Sequence, residues 1–451
     1  MKIVKFLIIN LFILSITIFL AGCGENTPPV GGGDPDEYTM EEAIDYVNKL
    51  FPTYVIEDIE LPTTIEGTTT TITWSSNREE LINREGKVTR GYEFETVRLT
   101  ARIRLNGKTE TVRNEVTVIP MESPLPKNKK LVFAYNYVGG QGFDQIPAHK
   151  IDVMNYAFAY LKNGKIDFST IRHAEQIIRL RERGTKVVIS LGGGGSSGGF
   201  SQAVSTTNGR KALIDSIIEG VKKYHFSGVD VDWEYPGSGP DALPNDKENF
   251  TLFLTELKAE LVKVDPNLLL TAALGIDPTI VKNLDVPAIS QVLDYAHLMT
   301  YDFVTANTEN EQHLTNLYSS PMQGNYSVQN AVNHYNSLGM PLEKIVIGAT
   351  FYGRQRSFYS DGTKSTYTSI SYTEIKEKYL SNPDLITYYF DEAAQAPYLR
   401  NDNLFITFDD PRSIKAKCEF VKERDLAGIM FWQYNQDQTG ELLDTIYINI
   451  R

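Results

Sequence analysis

The chain has 451 residues, 41% of them hydrophobic and 22% charged, with a formal net charge of −13 and an isoelectric point of about 5.1. That length leaves room for two or three domains. The acidic balance repels phosphate backbones and argues against nucleic acid as a partner.

The first predicted element is a targeting segment. Lys2 and Lys5 precede the apolar run from Phe6 to Leu20, which ends in Leu20-Ala21-Gly22-Cys23. A basic start and a short apolar core mark an export signal, which is set aside from fold reasoning. Its last four residues resemble a bacterial lipobox. The resemblance implies cleavage before Cys23, lipidation of that residue, and tethering to a plasma or outer membrane at the bacterial cell surface. Cys418 is the only other cysteine, so neither an internal disulfide nor a cysteine-built metal site is expected. Residues 24–37 are rich in Pro and Gly and read as a flexible linker.

Residues 38–122 are expected to form a small β domain. Met40 to Phe51 suits a short amphipathic helix. Val97, Leu99, Ala101, Ile103 and Leu105 alternate with polar residues, the period of a half-buried strand. Asn106-Gly107 signals a hairpin, with Val112 to Val118 as the returning strand. The stretch Ile72-Thr73-Trp74-Ser75-Ser76-Asn77 and the later Gly86-Lys87-Val88-Thr89 resemble bacterial immunoglobulin-like modules. The module carries no catalytic constellation. It reads as a spacer in preference to a carbohydrate-binding module, with Trp74 in its core and not as a ligand platform.

Ser123-Pro124-Leu125-Pro126, followed by Lys127 to Lys130, marks a second linker. From residue 128 to 451 the pattern becomes apolar strands separated by helices. The strands are expected at Leu131–Tyr135, Val153–Phe158, Lys186–Leu191, Gly228–Trp233, Leu268–Ala273, Tyr295–Met299, Ile345–Ala349 and Gly428–Phe431. Helices are expected at Lys211–Tyr224, Lys247–Val264, Ser327–Leu338 and Pro411–Arg424. This alternation argues for an α/β fold, a closed (β/α)8 TIM barrel. A doubly wound open sheet would want a glycine-rich loop opening a helix after its first strand, and Gly139-Gly140-Gln141-Gly142 opens none convincingly. Residues from about 355 to 405 are too long for a loop and read as an insertion after the seventh strand.

Chemistry in such barrels sits at the C-terminal rim of the strands. At the end of the fourth strand, Asp230, Asp232 and Glu234 fall at every second residue between Val229, Val231 and Trp233. A period of two puts the three acids on one face. Close carboxylates raise one another's pKa. An acid still protonated beside an ionised partner is what cleavage of a glycosidic bond needs. The same oxygens could instead hold Mg2+ or Ca2+. Tyr135, Phe158, Tyr301, Asp302, Arg354 and Trp432 stand at other strand ends and are expected to converge on the acids.

The run Asp230-Val231-Asp232-Trp233-Glu234 resembles the signature of glycoside hydrolase family 18, the chitinases and their relatives. Ser190-Leu191-Gly192-Gly193, Met299-Thr300-Tyr301-Asp302, Phe351-Tyr352-Gly353-Arg354 and Gly428-Ile429-Met430-Phe431-Trp432 resemble further motifs of that family, in its order. The resemblance implies that Glu234 is the general acid and then the general base. Asp232 would orient the substrate's 2-acetamido group, whose carbonyl oxygen is the nucleophile and forms an oxazolinium intermediate. Asp230 would tune Asp232, and Tyr301 would hydrogen-bond the acetamido carbonyl. Met299, Asp302 and Arg354 would line the sugar site with Tyr135, Phe158 and Tyr235, over Trp432 as its floor. Gly192 and Gly193 belong to the same site, where they permit close backbone approach.

The implied substrate is a chitooligosaccharide or another N-acetylglucosamine-containing glycan, cleaved at β-1,4 bonds with retention and with neither metal nor cofactor. Rival readings are an endo-β-N-acetylglucosaminidase acting on N-glycans, cell-wall cleavage, and a non-catalytic lectin on the same fold. Such lectins usually lose the acid at position 234. Two departures stand out. Ser227 occupies a position where the family usually has another Asp, which predicts an altered pH profile. Gly194 to Gly199 runs where many chitinases place a Trp, so a stacking platform is expected to be missing.

Overall fold

The computed structural model describes residues 38–137, 143–172 and 174–451; Cys23, the 24–37 linker and the Gly139–Gly142 stretch lie outside them. The chain divides into two units. The first holds the described residues up to Thr89 and Glu95–Val118; the second holds Arg90–Phe94 and Ile119–Arg451.

In the first unit the helix Met40–Lys49 opens on a capping box. The Glu42 amide donates to the Thr39 hydroxyl oxygen, and the Thr39 amide donates to the Glu42 carboxylate at 2.8 Å. Four strands follow: β1 (Tyr54–Val55), β2 (Thr71–Ser76), β3 (Glu95–Leu105) and β4 (Lys108–Val118). Their order is β1-β4-β3-β2, antiparallel except for β1 against β4. The alternating apolar residues of β3 all point inward, as period two requires. Asn106 (φ 47°) and Gly107 (φ 78°) both take the left-handed conformation that a two-residue β3–β4 turn demands. Trp74 is a core residue; its indole N–H donates to the Pro62 carbonyl at 2.8 Å.

The second unit is built on β5 (Leu131–Tyr137), β6 (Val153–Lys162), the short β7 (Lys165–Asp167), β8 (Lys186–Gly192), β9 (Gly228–Asp232), β10 (Leu269–Leu274), β11 (Tyr295–Leu298), β12 (Ile345–Thr350) and β18 (Gly428–Trp432). Except for the antiparallel β7, each runs parallel to its neighbours, and the β5–β6 pairing closes the sheet into an eight-stranded barrel. β9, β10 and β12 are buried along their whole length, because side chains fill the interior and helices cover the outside. The helices Thr207–Tyr224, Asp246–Val264, Val328–Ser337 and Pro411–Glu423 fall on the predicted segments.

Between β12 and β18 lies an antiparallel sheet of β13 (Tyr352–Ser357), β14 (Thr368–Ser371), β15 (Thr387–Asp391), β16 (Ala396–Arg400) and β17 (Leu404–Phe408), in the order β14-β13-β17-β16-β15. It begins at Tyr352, earlier than the expected 355, because β13 follows β12 almost without a loop. Just past β17, Asp409 accepts from Lys417 Nζ at 2.6 Å, with both side chains fully buried.

The first unit ends at Val118 and not at the expected 122, and the segment expected as a linker, Ser123 to Lys130, belongs with the barrel unit. Ile119 onward packs with the barrel. Glu122 is buried and ion-paired with Arg181 and Lys186. Lys129 pairs with Asp152, and Lys130 with Asp425. Long-range ion pairs hold a stretch whose composition alone suggests mobility.

Candidate active site

β9 brings Asp230 and Asp232 into the barrel, with Val229 and Val231 on its other side. Just beyond its end Trp233 stacks on Phe200 (5.5 Å, 17°) and meets Phe250 edge-on, which anchors the apolar face. Ser197 ties the chain here. Its hydroxyl donates to the Asp232 carbonyl at 3.0 Å and accepts from the Glu234 amide at 3.0 Å.

The three acids have different surroundings. Asp230 is fully buried and accepts three hydroxyls: Tyr135 at 2.9 Å, Ser190 at 2.8 Å and Thr271 at 2.6 Å. Because Tyr135 spends its proton on Asp230, its oxygen accepts from His297 Nδ1 at 2.9 Å. That fixes His297 as the Nδ1–H tautomer. Burial pushes the His297 pKa down to about 4, against the pull of Asp230, so the ring is neutral.

Asp232 has no such escort. Its Oδ1 has no hydrogen-bond partner among the described residues. Burial, then the charges of Glu234 and Asp230, push its carboxyl well above the usual range. Burial also raises Glu234, and the charge of Asp302 adds to that; hydrogen bonds to Asp232 and Tyr235 act the other way. The pair therefore binds a proton more tightly than isolated carboxylates would.

These groups open into a cleft of about 710 Å3 at the C-terminal rim. Trp432, at the end of β18, stacks on Phe158 (5.7 Å, 22°) and is flanked by Tyr135 and Tyr137. Tyr301 stands opposite. Among the described residues its hydroxyl has one weak contact, to Met430 Sδ at 3.9 Å, so the O–H is available to a ligand. Gly348 makes room for that ring; a Cβ there would lie 2.6 Å from it. Gly193 does the same for Phe158, also at 2.6 Å. Three non-proline cis peptides, Ala157–Phe158, Glu234–Tyr235 and Trp432–Gln433, lie at this rim.

Of the residues chosen from sequence, Asp232, Glu234, Tyr301, Phe158, Tyr235, Met299, Asp302 and Trp432 line the cleft. Tyr135, Asp230, Gly192, Gly193 and Arg354 do not. Tyr135 lies beneath the cleft on Asp230. Gly192 and Gly193 pack against Asp232 and Phe158. Arg354 is turned to Asp302, donating at 2.8 Å, beside the Tyr352 hydroxyl on the same oxygen.

Ser227 also needs correction. It sits at the opposite, N-terminal end of β9, accepting from the Val187 amide at 3.2 Å and bonded to Glu122. It is no member of the acid set. A carboxylate is present at that end, but Glu122 supplies it from outside the strand. The glycine-rich stretch gives Gly194 and Ser196 to the cleft lining and no aromatic ring, as expected.

Sequence reasoning missed Tyr137, Phe303 and Tyr326 of the lining. Tyr326 meets Phe303 edge-on (5.5 Å) and donates to Asp277. It also missed Ser190, Thr271 and His297 as partners in the Asp230 network, although each faces inward by strand parity.

Comparison with known proteins agrees with this geometry. Residues 132–437 match the model of glycosyl hydrolases family 18, and residues 41–121 match that of an atrophied bacterial Ig domain. The chain is 30% identical over 290 residues to chitinase A1 of Niallia circulans, covering 57% of this chain and 41% of that protein. It is 29% identical to mouse chitotriosidase-1, covering 62% and 66%. It thus spans less than two thirds of the length of either. Among solved structures, a family 18 N-acetylglucosaminidase from Paenibacillus barengoltzii matches with a TM-score of 0.65 at 33% identity, over 71% of this chain and all of that one. The cell-surface-expressed multi-modular chitinase ChiW of a Paenibacillus species matches with a TM-score of 0.64 at 27% identity, over 81% of this chain and 36% of its own. The match to the family model runs through the barrel and its acid-bearing strand, and the chain belongs to glycosyl hydrolases family 18.

Proposed function

We propose that the protein is a retaining glycoside hydrolase that cleaves β-1,4 bonds of chitin-like N-acetylglucosamine glycans with help from the substrate's own acetamido group. The observation that carries this reading is the unneutralised Asp232–Glu234 pair at the cleft, facing the free hydroxyl of Tyr301. The family is a known exception to the two-carboxylate scheme for retention.

Glu234, whose carboxyl burial raises above the usual range, gives its proton to the glycosidic oxygen as the bond to C1 breaks. The acetamido oxygen attacks C1, with Tyr301 donating to that group and Asp232 holding its N–H. Glu234, now a carboxylate, takes a proton from the water that opens the oxazolinium ring and so regains its starting state. Asp230 acts through Asp232. Its three hydroxyl donors fix its position, and its charge sustains the proton on the pair. Trp432 offers an aromatic face to the reacting sugar. The lectin reading is disfavoured because Glu234 is present, buried and at the cleft.

The test uses residues 24–451 and chitohexaose, with the fresh products read by proton NMR. New reducing ends that are initially β support the proposal. Initially α ends, or no cleavage, would refute it.

The reading of Cys23 as a lipid anchor stands on its four-residue motif. The surface expression of ChiW supports a similar location. Phase partitioning of the wild type into detergent, lost in Cys23→Ala, tests it; equal partitioning would count against it.

A further inference from the structure

The first unit carries two chemically opposite sheet faces. One is its apolar core. On the other, register aligns Arg102 with Thr111 and Thr73, sets Arg104 beside it on β3, and brings Arg113 of β4 beside Thr100. Arg98 continues the same face, opposite Glu115. All four arginines are exposed. The unit's Arg78 and Arg84 lie against Glu80, Glu95 and Glu85. The four on the sheet pair with no carboxylate among the described residues.

Four cations against one acid, in a chain of net charge −13, is a local reversal of sign. Neighbouring strands are about 4.8 Å apart and alternate residues about 6.8 Å, so the guanidinium groups form a compact lattice with hydroxyls between them. Guanidinium forks grip phosphate oxygens in pairs. A neutral chitin chain offers such a lattice no opposite charge. The chain order supplies the occupant: residues 24–37 separate Cys23 from the start of this unit.

We propose that the Arg98, Arg102, Arg104 and Arg113 face docks the first unit on the phosphate headgroups of an anionic membrane surface. The location follows from the anchor reading, but the binding rests on charge alone. Unacylated protein therefore tests it separately.

Residues 24–451 are co-sedimented with phosphatidylcholine vesicles, with and without phosphatidylglycerol. Each basic residue near such a surface strengthens binding about fivefold. The wild type is expected to bind only the anionic vesicles and to release as salt rises. The variant R98Q/R102Q/R104Q/R113Q weakens binding by about several hundredfold, and Glu115→Gln strengthens it. Turnover of chitohexaose stays unchanged in both, because none of these residues touches the cleft. Equal binding by wild type and variant, or binding without regard to lipid charge, overturns the proposal. Binding to soluble poly(glycerol phosphate) but not to vesicles also overturns it, and would assign the face to a wall polymer.

Discussion

The barrel unit treats its buried acids in two opposite ways. Glu122, at the N-terminal end of β8 and β9, meets Arg181 and Lys186, and Asp409 meets Lys417. Asp232 and Glu234, at the other end of β9, meet only further acids and hydroxyls among the described residues. The consequences are opposite. Burial would raise Glu122, yet its two cations pull it below the usual range, whereas Asp232 and Glu234 are pushed up. At Glu122 and Asp409 this chain neutralises a buried carboxylate with cations. Leaving a pair unneutralised costs stability, and the return is a proton kept for chemistry.

The sharpest break of this comparison is at Glu234. Glu234→Gln keeps the shape and removes the transferable proton. kcat/KM is expected to fall by about 10³-fold or more, while calorimetry still detects binding of chitotetraose. Activity within tenfold of wild type would mean that the proton comes from another group.

Stability changes should then differ in sign between the two kinds of acid. Lys417→Met strands Asp409 in the interior and is expected to lower unfolding free energy by about 3–5 kcal/mol. Asp232→Asn removes a repulsion and should leave stability at neutral pH equal or higher. An acid whose folded pKa is raised makes stability fall as pH climbs past its unfolded value, near 4.3 for Glu and 3.9 for Asp. The advantage of Asp232→Asn over wild type should therefore grow as pH rises from about 4 towards neutrality. Glu122 has the reverse sign: its contribution is present above the unfolded value and lost as pH falls through the lower folded one. Denaturant titrations across pH measure both. A parallel fall in the two variants would remove the distinction.

Much of this contrast was legible in the sequence, but unevenly. The eight strands, the hairpin at Asn106-Gly107 and the inward set Asp230, Asp232 and Glu234 all follow from period two and turn chemistry, which are local. Tyr326 and Phe303 were hidden because they reach the cleft from irregular loops, where no periodicity reports direction. Glu122 was hidden for a different reason. It stands beside Ser123-Pro124, a composition that reads as linker, and its cations lie 59 and 64 residues away. Inward parity on β10 and β11 could have revealed Thr271 and His297.

A smaller effect is expected at Asp302. Its charge raises Glu234, so Asp302→Asn, which also releases Arg354, lowers the Glu234 pKa. Less of the acid is then protonated near neutrality. The basic limb of the pH–rate profile moves to lower pH, measured as kcat/KM on a soluble oligosaccharide. A basic limb that stays in place would show that Asp302 does not act on Glu234 through charge.

The smallest effect, and the one that separates the two ends of β9, is at Ser227. Five strand steps, roughly 16 Å, separate it from Asp232. Its hydroxyl already serves the Glu122 ion-pair set. Ser227→Asp therefore places a new carboxylate beside Glu122, where two cations must serve two acids. Unfolding free energy should fall by about 1–3 kcal/mol. The pH–rate limbs should superimpose on those of the wild type. A displaced limb with unchanged stability would reverse this assignment and make position 227 a member of the catalytic acid set after all.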